Sequence, residues 1–215
     1  MKQLLLLLPF MLGVTLAAHS QKLIQKSLDV QGKKVEMKFN FADSILIEAW
    51  DKNTIDLKVS ADIDKNKYNE YYTLKESNEG SILHLDEDVD FKTLENKLGK
   101  HMNIDMHIIY RIKVPASLEF DLKTISGQVV VKGARGKMDI NCISGFIDYS
   151  IPSGLKAKID LSTISGNVYS DVKFEGNSDK DMSPVGTKSH LTLNGGDMPI
   201  ALKTISGDIY LRKAR

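Results

Sequence analysis

Apolar and polar residues alternate with a period of two along most of this chain, the pattern of strands with one buried face. Val35, Met37, Phe39 and Phe41 form the first clear run; Ile45, Ile47 and Ala49 form a second; Ile55, Leu57, Val59, Ala61 and Ile63 form a third. "WDKN" at 50–53 reads as the turn between the second and third runs. A polar stretch carrying Tyr68, Tyr71 and Tyr72 leads to a short strand near 81–85. Ile104, Met106, Ile108, Tyr110, Ile112 and Val114 give the cleanest alternation of this half, ending at Pro115. Between them, 86–103 breaks the pattern. "DEDVD" at 86–90 reads as a solvated acidic loop, and "FKTLENKLGK" as one or two helical turns before Gly99, so a polar surface excursion is expected there.

From Ser117 onward the alternation is written in copies. "LKTISGQVVV", "INCISGFIDY", "LSTISGNVYS" and "LKTISGDIYL" align on Ile125, Ile143, Ile164 and Ile205. Phe120, Met138, Ile159 and Ile200 then share one column, Leu122, Ile140, Leu161 and Leu202 a second, and Thr124, Cys142, Thr163 and Thr204 a third. Beyond the turn, Val129, Ile147, Val168 and Ile209 make a fourth. Each copy is two strands joined at Ser-Gly: Ser126-Gly127, Ser144-Gly145, Ser165-Gly166 and Ser206-Gly207. The spacings are 18, 21 and 41 residues, and a degenerate copy is expected near "LTLNGGDM" at 191–198, after a polar insert around 175–190.

Two architectures fit such copies. In an antiparallel meander or sandwich, Ser-Gly is a hairpin turn, although a weaker hairpin signal than Asn-Gly. In a parallel β-solenoid it is a corner passed once per coil of about 20 residues, with equivalent residues stacked from coil to coil. A hairpin leaves the ISG isoleucine exposed in every copy; a corner lets threonine and isoleucine both turn inward. On that ground the fold class is expected to be an all-β parallel β-solenoid (β-helix), with the N-terminal strands capping or continuing it.

The ends and the composition add a location. Lys2, the apolar stretch through Leu16 and the small residues of Ala18-His19-Ser20 read as a secretory signal peptide, 1–20, cleaved between Ser20 and Gln21. The apolar run is short of the roughly 20 residues a bilayer needs. The expected division is signal peptide 1–20, N-terminal β region 21–115 and TISG repeats 116–215. With Cys142 as the only cysteine there is no disulfide, so an exported fold must rest on packing and backbone pairing. Charge is balanced, 29 Lys and Arg against 28 Asp and Glu. That argues against nucleic acid as a partner.

The pieces "ILIEAWDKNTIDLKVS", "YRIKVPASLEFDLKTISGQVVVKG" and the recurrent TISG-x-[IV] units resemble an exported bacterial "putative adhesin" group, a family of unknown function common in Bacteroidetes and Firmicutes. The resemblance covers roughly 35–215 and is strongest over the repeats. It implies a right-handed β-solenoid, export and an envelope or surface role. It supplies no catalytic residues.

Candidate chemistry is sparse. Asp121, Asp139 and Asp160 each stand four residues before the ISG isoleucine, so stacking is expected to place them in one outward column about 4.8 Å apart. Such a column suits a cation or acid/base work on a polysaccharide; beside Lys123, Lys137 and Lys158 it equally suits a mixed-charge solvated face, since like charges at that separation in water cost only about 1 kcal/mol. "DEDVD" lacks the glycine turn and closing carboxylate of a calcium loop. His101 and His107 are about 20 Å apart along an extended strand and do not share a metal there; His84 and His190 have no place in the pattern. Four equivalent serines are turn residues, each hydroxyl satisfying local backbone, rather than nucleophiles. Cys142 stands in an inward threonine column and reads as a small buried residue. Tyr169 and Tyr210, five after the isoleucine, and Phe146, three after, point outward as a possible sugar- or partner-binding face.

These observations lead to a non-enzymatic exported envelope or surface protein, adhesin or scaffold, with no cofactor and no metal. Its ligand is an envelope protein or a glycan, and its oligomeric state is open. The alternatives are a carbohydrate-active β-helix enzyme using the aspartate column and, from the company the resembling family keeps, an accessory protein of envelope-stress signalling. Specificity is expected where the copies differ: Gln128, Phe146, Asn167 and Asp208.

Overall fold

The computed structural model describes residues 20–100, 103–182 and 186–214. The expected signal peptide up to residue 19 and His101 lie outside them. The period-two runs become strands. In the N-terminal half these are β1 (Lys22–Asp29), β2 (Lys34–Lys38), β3 (Ser44–Trp50), β4 (Thr54–Ile63), β5 (Tyr72–Glu79) and β6 (Ile82–Val89), followed by helix α1 (Phe91–Leu98) and β7 (Met106–Pro115). The repeats supply β8 (Phe120–Ser126), β9 (Gln128–Lys132), β10 (Met138–Ser144), β11 (Ile147–Ile151), β12 (Ala157–Ser165) and β13 (Val168–Ser170). The chain closes with β14 (Glu175–Met182), β15 (Thr187–Leu193), β16 (Met198–Ser206) and β17 (Ile209–Lys213).

Two sheets result. Sheet A runs β1-β4-β7-β3-β9-β11-β17-β13 and sheet B runs β14-β15-β12-β16-β10-β8-β2-β6-β5. Six strand pairs, β6–β7 (through α1), β2–β3, β8–β9, β10–β11, β16–β17 and β12–β13, pass from sheet B to sheet A as successive rungs, and neighbouring rungs pair in parallel. Antiparallel strands close both ends: β1, β4 and β5 at one, β14 and β15 at the other. The fold is mostly β, two mixed and largely parallel sheets in a solenoid-like stack. Parallel pairing of the TISG copies overturns the meander alternative.

The columns read from the sequence are the columns of the core. Phe120, Met138, Ile200 and Ile159 lie in register across β8, β10, β16 and β12, as do Leu122, Ile140, Leu202 and Leu161, and Thr124, Cys142, Thr204 and Thr163. All twelve are buried. The glycine of each corner has a steric reason. A Cβ on Gly145 would fall on the carbonyl of Gly127, and one on Gly207 on the carbonyl of Gly145, so adjacent rungs approach too closely for any side chain there.

Four expectations change. The rungs do not stack in chain order, because β16–β17 lies between β10–β11 and β12–β13. The segment at 191–198 is not a degenerate coil. Thr187–Leu193 instead folds back antiparallel on β12, and Asn194 and Gly195, both at positive φ, turn the chain into β16. The expected acidic loop at 86–90 is strand instead, while the expected helical turns before Gly99 form as a helix. β6 continues through "DEDV" to Val89, and Asp90 caps α1 by accepting a hydrogen bond from the Thr93 amide (3.0 Å). Finally, Ile125, Ile143, Ile164 and Ile205 are not inward. They are 44%, 47%, 50% and 47% exposed. Strand alternation continues past the threonine and the chain bends only at the glycine, so threonine faces in and isoleucine out.

Candidate functional site

The outer face of sheet B carries the aspartates. Asp121 and Asp139 are cross-strand neighbours on β8 and β10, as expected. Asp160 is not beside them, because Ala201 of the inserted β16 lies between Asp139 and Asp160. Each carboxylate is tied to a base: Asp121 to Lys34 (2.6 Å), Asp139 to Lys203 (3.2 Å), Asp160 to His190 (2.6 Å). The hydrogen bond to Asp121 holds the Lys34 ammonium above its ordinary pKa, and that to Lys34 lowers Glu36. His84 stands opposite Glu36 in the same file. Such exposed pairs contribute about 0–1 kcal/mol each. Among the described residues no cluster of His, Cys, Asp and Glu is arranged to hold a metal ion. His107 sits apart on β7, its pKa raised by the hydrogen bond to Asp43 (3.0 Å).

The outer face of sheet A carries the aromatics. Tyr169 and Tyr210 are directly opposed on β13 and β17. Their rings stack at 5.2 Å and 13°, and Phe146 meets Tyr210 edge-on at 6.0 Å and 88°. The Arg212 guanidinium lies 5.0 Å from the Tyr210 ring and is itself held by Asp148 (2.7 Å). Tyr210 donates its phenol proton to Asp208 (3.1 Å), which raises its pKa, and Asp208 also accepts from the Asn167 amide (2.8 Å). Tyr169 is 48% exposed on the edge strand, with no strand paired on its far side among the described residues. The residues where the copies differ therefore stand in one file across neighbouring rungs, in the order Gln128, Phe146, Asp208 and Asn167, with the stacked tyrosines at the Asn167 end.

The expected bond from every corner serine to local backbone is found at one of the four. Ser144, Ser165 and Ser206 are exposed, and only Ser126 reaches backbone carbonyls among the described residues, at 3.4–3.5 Å. It is the inward threonines that satisfy the corners: Thr163 donates to the Gly207 carbonyl (2.9 Å), Thr204 to that of Gly145 (3.3 Å) and Thr124 to that of Phe39 (2.7 Å). The Cys142 thiol, in the same file, is 3.9 Å from the Gly127 carbonyl, and burial pushes its pKa up. A high thiol pKa disfavours the reactive thiolate.

A family model, "Toastrack DUF4097", matches residues 89–212, more than half of the chain. The chain belongs to the Toastrack DUF4097 family. The Toastrack match takes in α1, β7 and every TISG rung, and leaves β1 to β5 outside it. Among solved structures, a "putative cell adhesion protein" from Clostridium sporogenes is 12% identical, with TM-score 0.58 over 90% of this chain and 100% of that one. A "putative adhesin" from Bacteroides fragilis is 11% identical, with TM-score 0.27 over 91% of this chain and 98% of that one. At such identities the Clostridium likeness bears on the fold alone, and the Bacteroides one carries no argument. No curated protein matches. Among the described residues no helix is long and apolar enough to cross a membrane.

One group in this Toastrack protein escaped the sequence reading. Glu87, 8% exposed, accepts hydrogen bonds from the Tyr110 hydroxyl (2.8 Å) and the Phe41 amide (3.2 Å), and Tyr72 and Tyr110 share a 2.8 Å hydrogen bond. Burial raises the Glu87 carboxyl to about 7 and raises both phenols. The signal was present: Glu87 has the same parity as Leu83, Leu85 and Val89. An acidic run hid it.

Proposed function

We propose that this chain is a non-enzymatic binding protein of the bacterial envelope or cell surface. In this reading it is an exported, right-handed solenoid-like platform that holds a glycan on the aromatic file of sheet A. The observation that carries the reading is the Tyr169–Tyr210–Phe146 arrangement. A sugar ring stacks its apolar face on an exposed aromatic face while nearby polar groups take its hydroxyls. Asn167, Asp208 and Arg212 stand around the rings for that purpose.

Three points support the rest. β1 starts at Lys22, so cleavage before Gln21 leaves both sheets whole. The name given to the Clostridium structure, cell adhesion, agrees with a surface role. The aspartates favour a scaffold over a hydrolase, since two are neighbours locked into ion pairs and the third stands two strands away.

The test is an array of bacterial-envelope and host glycans probed with the chain from Gln21 onward, followed by calorimetry on the best ligand. Binding is expected, and Tyr169→Ala with Tyr210→Ala is expected to weaken it roughly tenfold or more, the order of one lost aromatic stack and its contacts. An unchanged affinity in the double variant, or no glycan bound at all, overturns the reading. Release of new reducing ends from any glycan on the array overturns its non-enzymatic part.

A further inference from the structure

The four exposed isoleucines make a straight ridge. In strand order they run Ile125 (β8), Ile143 (β10), Ile205 (β16) and Ile164 (β12), one per rung on the outer face of sheet B. Two residues earlier on the same face, Lys123 and Lys203 stand in a parallel file with Asn141 and Ser162. Between ridge and file lies a shallow trough of about 430 Å³ with Thr124, Cys142 and Thr204 along its base. Nothing about a corner requires a large apolar side chain there. The threonine fills the core and the glycine makes the bend, so an isoleucine kept outward four times is surplus to folding.

We infer that this trough is a docking groove for an amphipathic, acidic α-helix of a partner protein, lying along the stack and across the strands. The spacing supports a helix. Rungs repeat every 4.7–4.9 Å and helical turns every 5.4 Å, so over roughly three turns a file of side chains at i, i+4, i+7 and i+11 stays within about 2 Å of step with four isoleucines. The charge supports acidity. A helix seated on the ridge has one flank over Lys123 and Lys203, and Lys38 extends that file on β2; Lys38 and Lys123 make no ion pair among the described residues. The same layout disfavours a flat anionic membrane, which would also press against the Glu36, Asp121, Asp139 and Asp160 file two residues further along. The groove is on the opposite sheet from the aromatic file, so this inference does not rest on the glycan reading.

The experiment uses a synthetic, side-chain-stapled helical peptide of about 14 residues with leucines at i, i+4, i+7 and i+11 and glutamates on one flank. A second peptide is identical except for lysines on that flank. Fluorescence anisotropy against the chain from Gln21 onward is expected to show the glutamate peptide binding roughly tenfold tighter than the lysine peptide. Ile143→Ser with Ile205→Ser is expected to abolish binding with little change in melting temperature, because both side chains face solvent. Lys123→Glu with Lys203→Glu is expected to reverse the preference between the two peptides. Failure of both peptides to bind at millimolar concentration, or an unreversed preference in the charge-swapped variant, overturns the inference. So does an isoleucine-dependent dimer, or isoleucine-dependent binding to anionic phosphatidylglycerol vesicles that leaves the glutamate peptide unbound.

Discussion

Between β8 and β17 the core is filled by files of like residues. Leu122, Ile140, Leu202 and Leu161 stand one above another, and the polar groups in the files are threonines that bond corner carbonyls. At the β4–β7 end it is filled by residues used once. Phe39 stacks on Tyr110 at 4.0 Å and 12°, Tyr110 donates to Glu87, and Tyr72 bonds Tyr110. The difference follows from the pairing. A parallel rung offers its neighbour a near-identical surface, so one solution per column serves every copy. At the cap β6 and β7 still pair in parallel with β2 and β3, but β5 and β4 pair antiparallel outside them, no copy of the motif exists to repeat, and the core is closed by a specific polar network. Regularity thus makes the rungs sensitive to backbone crowding, and the buried carboxyl of its non-repeated network makes the cap sensitive to protonation.

The sharpest way to break the rungs is at a corner. In Gly145→Ala the new methyl meets the Gly127 carbonyl, at a residue whose φ is +137°. The rungs must separate or the turn must rebuild, and a loss of roughly 3 kcal/mol or more is expected in urea unfolding. Gly154 supplies the control. Its φ is +73°, yet nothing lies within 4 Å of a Cβ there, so Gly154→Ala is expected to cost only about 1–2 kcal/mol. Equal costs at the two sites would show that backbone conformation, not rung spacing, keeps glycine in the corners.

The cap is probed by pH. The folded Glu87 carboxyl titrates near 7, above its ordinary 4.5, because burial disfavours the ion. Below about pH 4.5 both folded and unfolded chains carry the proton and the cap is at full strength. As pH rises toward 7 the unfolded chain releases its proton first, so stability falls, by roughly 3 kcal/mol across the window, and levels off above it. Glu87→Gln keeps the shape and removes the ionisation. It is expected to match the parent near pH 4.5 and exceed it at pH 8, read as urea midpoints at both pH values. A parallel pH profile in the two proteins would remove Glu87 from the account.

Most of the rung register was legible from one-dimensional alignment, because a parallel stack writes its spatial neighbours at fixed offsets from the same motif. Leu122 next to Ile140 needs nothing more. What alignment could not carry was order: Asp139 meets Ala201 rather than Asp160 because β16 inserts between β10 and β12, a topological choice made by the chain's return path at 186–198. Parity, applied without exception, puts Ile125 outward and Glu87 inward, against the ordinary preference for apolar residues inside and acidic ones outside. The aromatic face was visible as positions, but the Tyr169–Tyr210 stack needed β13 and β17 to be neighbours, which again depends on the inserted rung.

The smallest expected effect tests how interchangeable the copies are. Cys142 occupies the threonine file, its thiol 3.9 Å from the Gly127 carbonyl where Thr163 and Thr204 place hydroxyls at 2.9 Å and 3.3 Å from theirs. Cys142→Thr changes the volume little, adds a β-branch suited to a strand and replaces a weak S–H donor by a hydroxyl. If the rungs are equivalent, the substitution is neutral or stabilises by up to about 1 kcal/mol, the worth of one ordinary hydrogen bond. The reverse change, Thr204→Cys, is then expected to destabilise by a similar amount. A loss of stability in Cys142→Thr means instead that the β10 corner differs in shape from the other three, and that the repeat has diverged inside as well as outside.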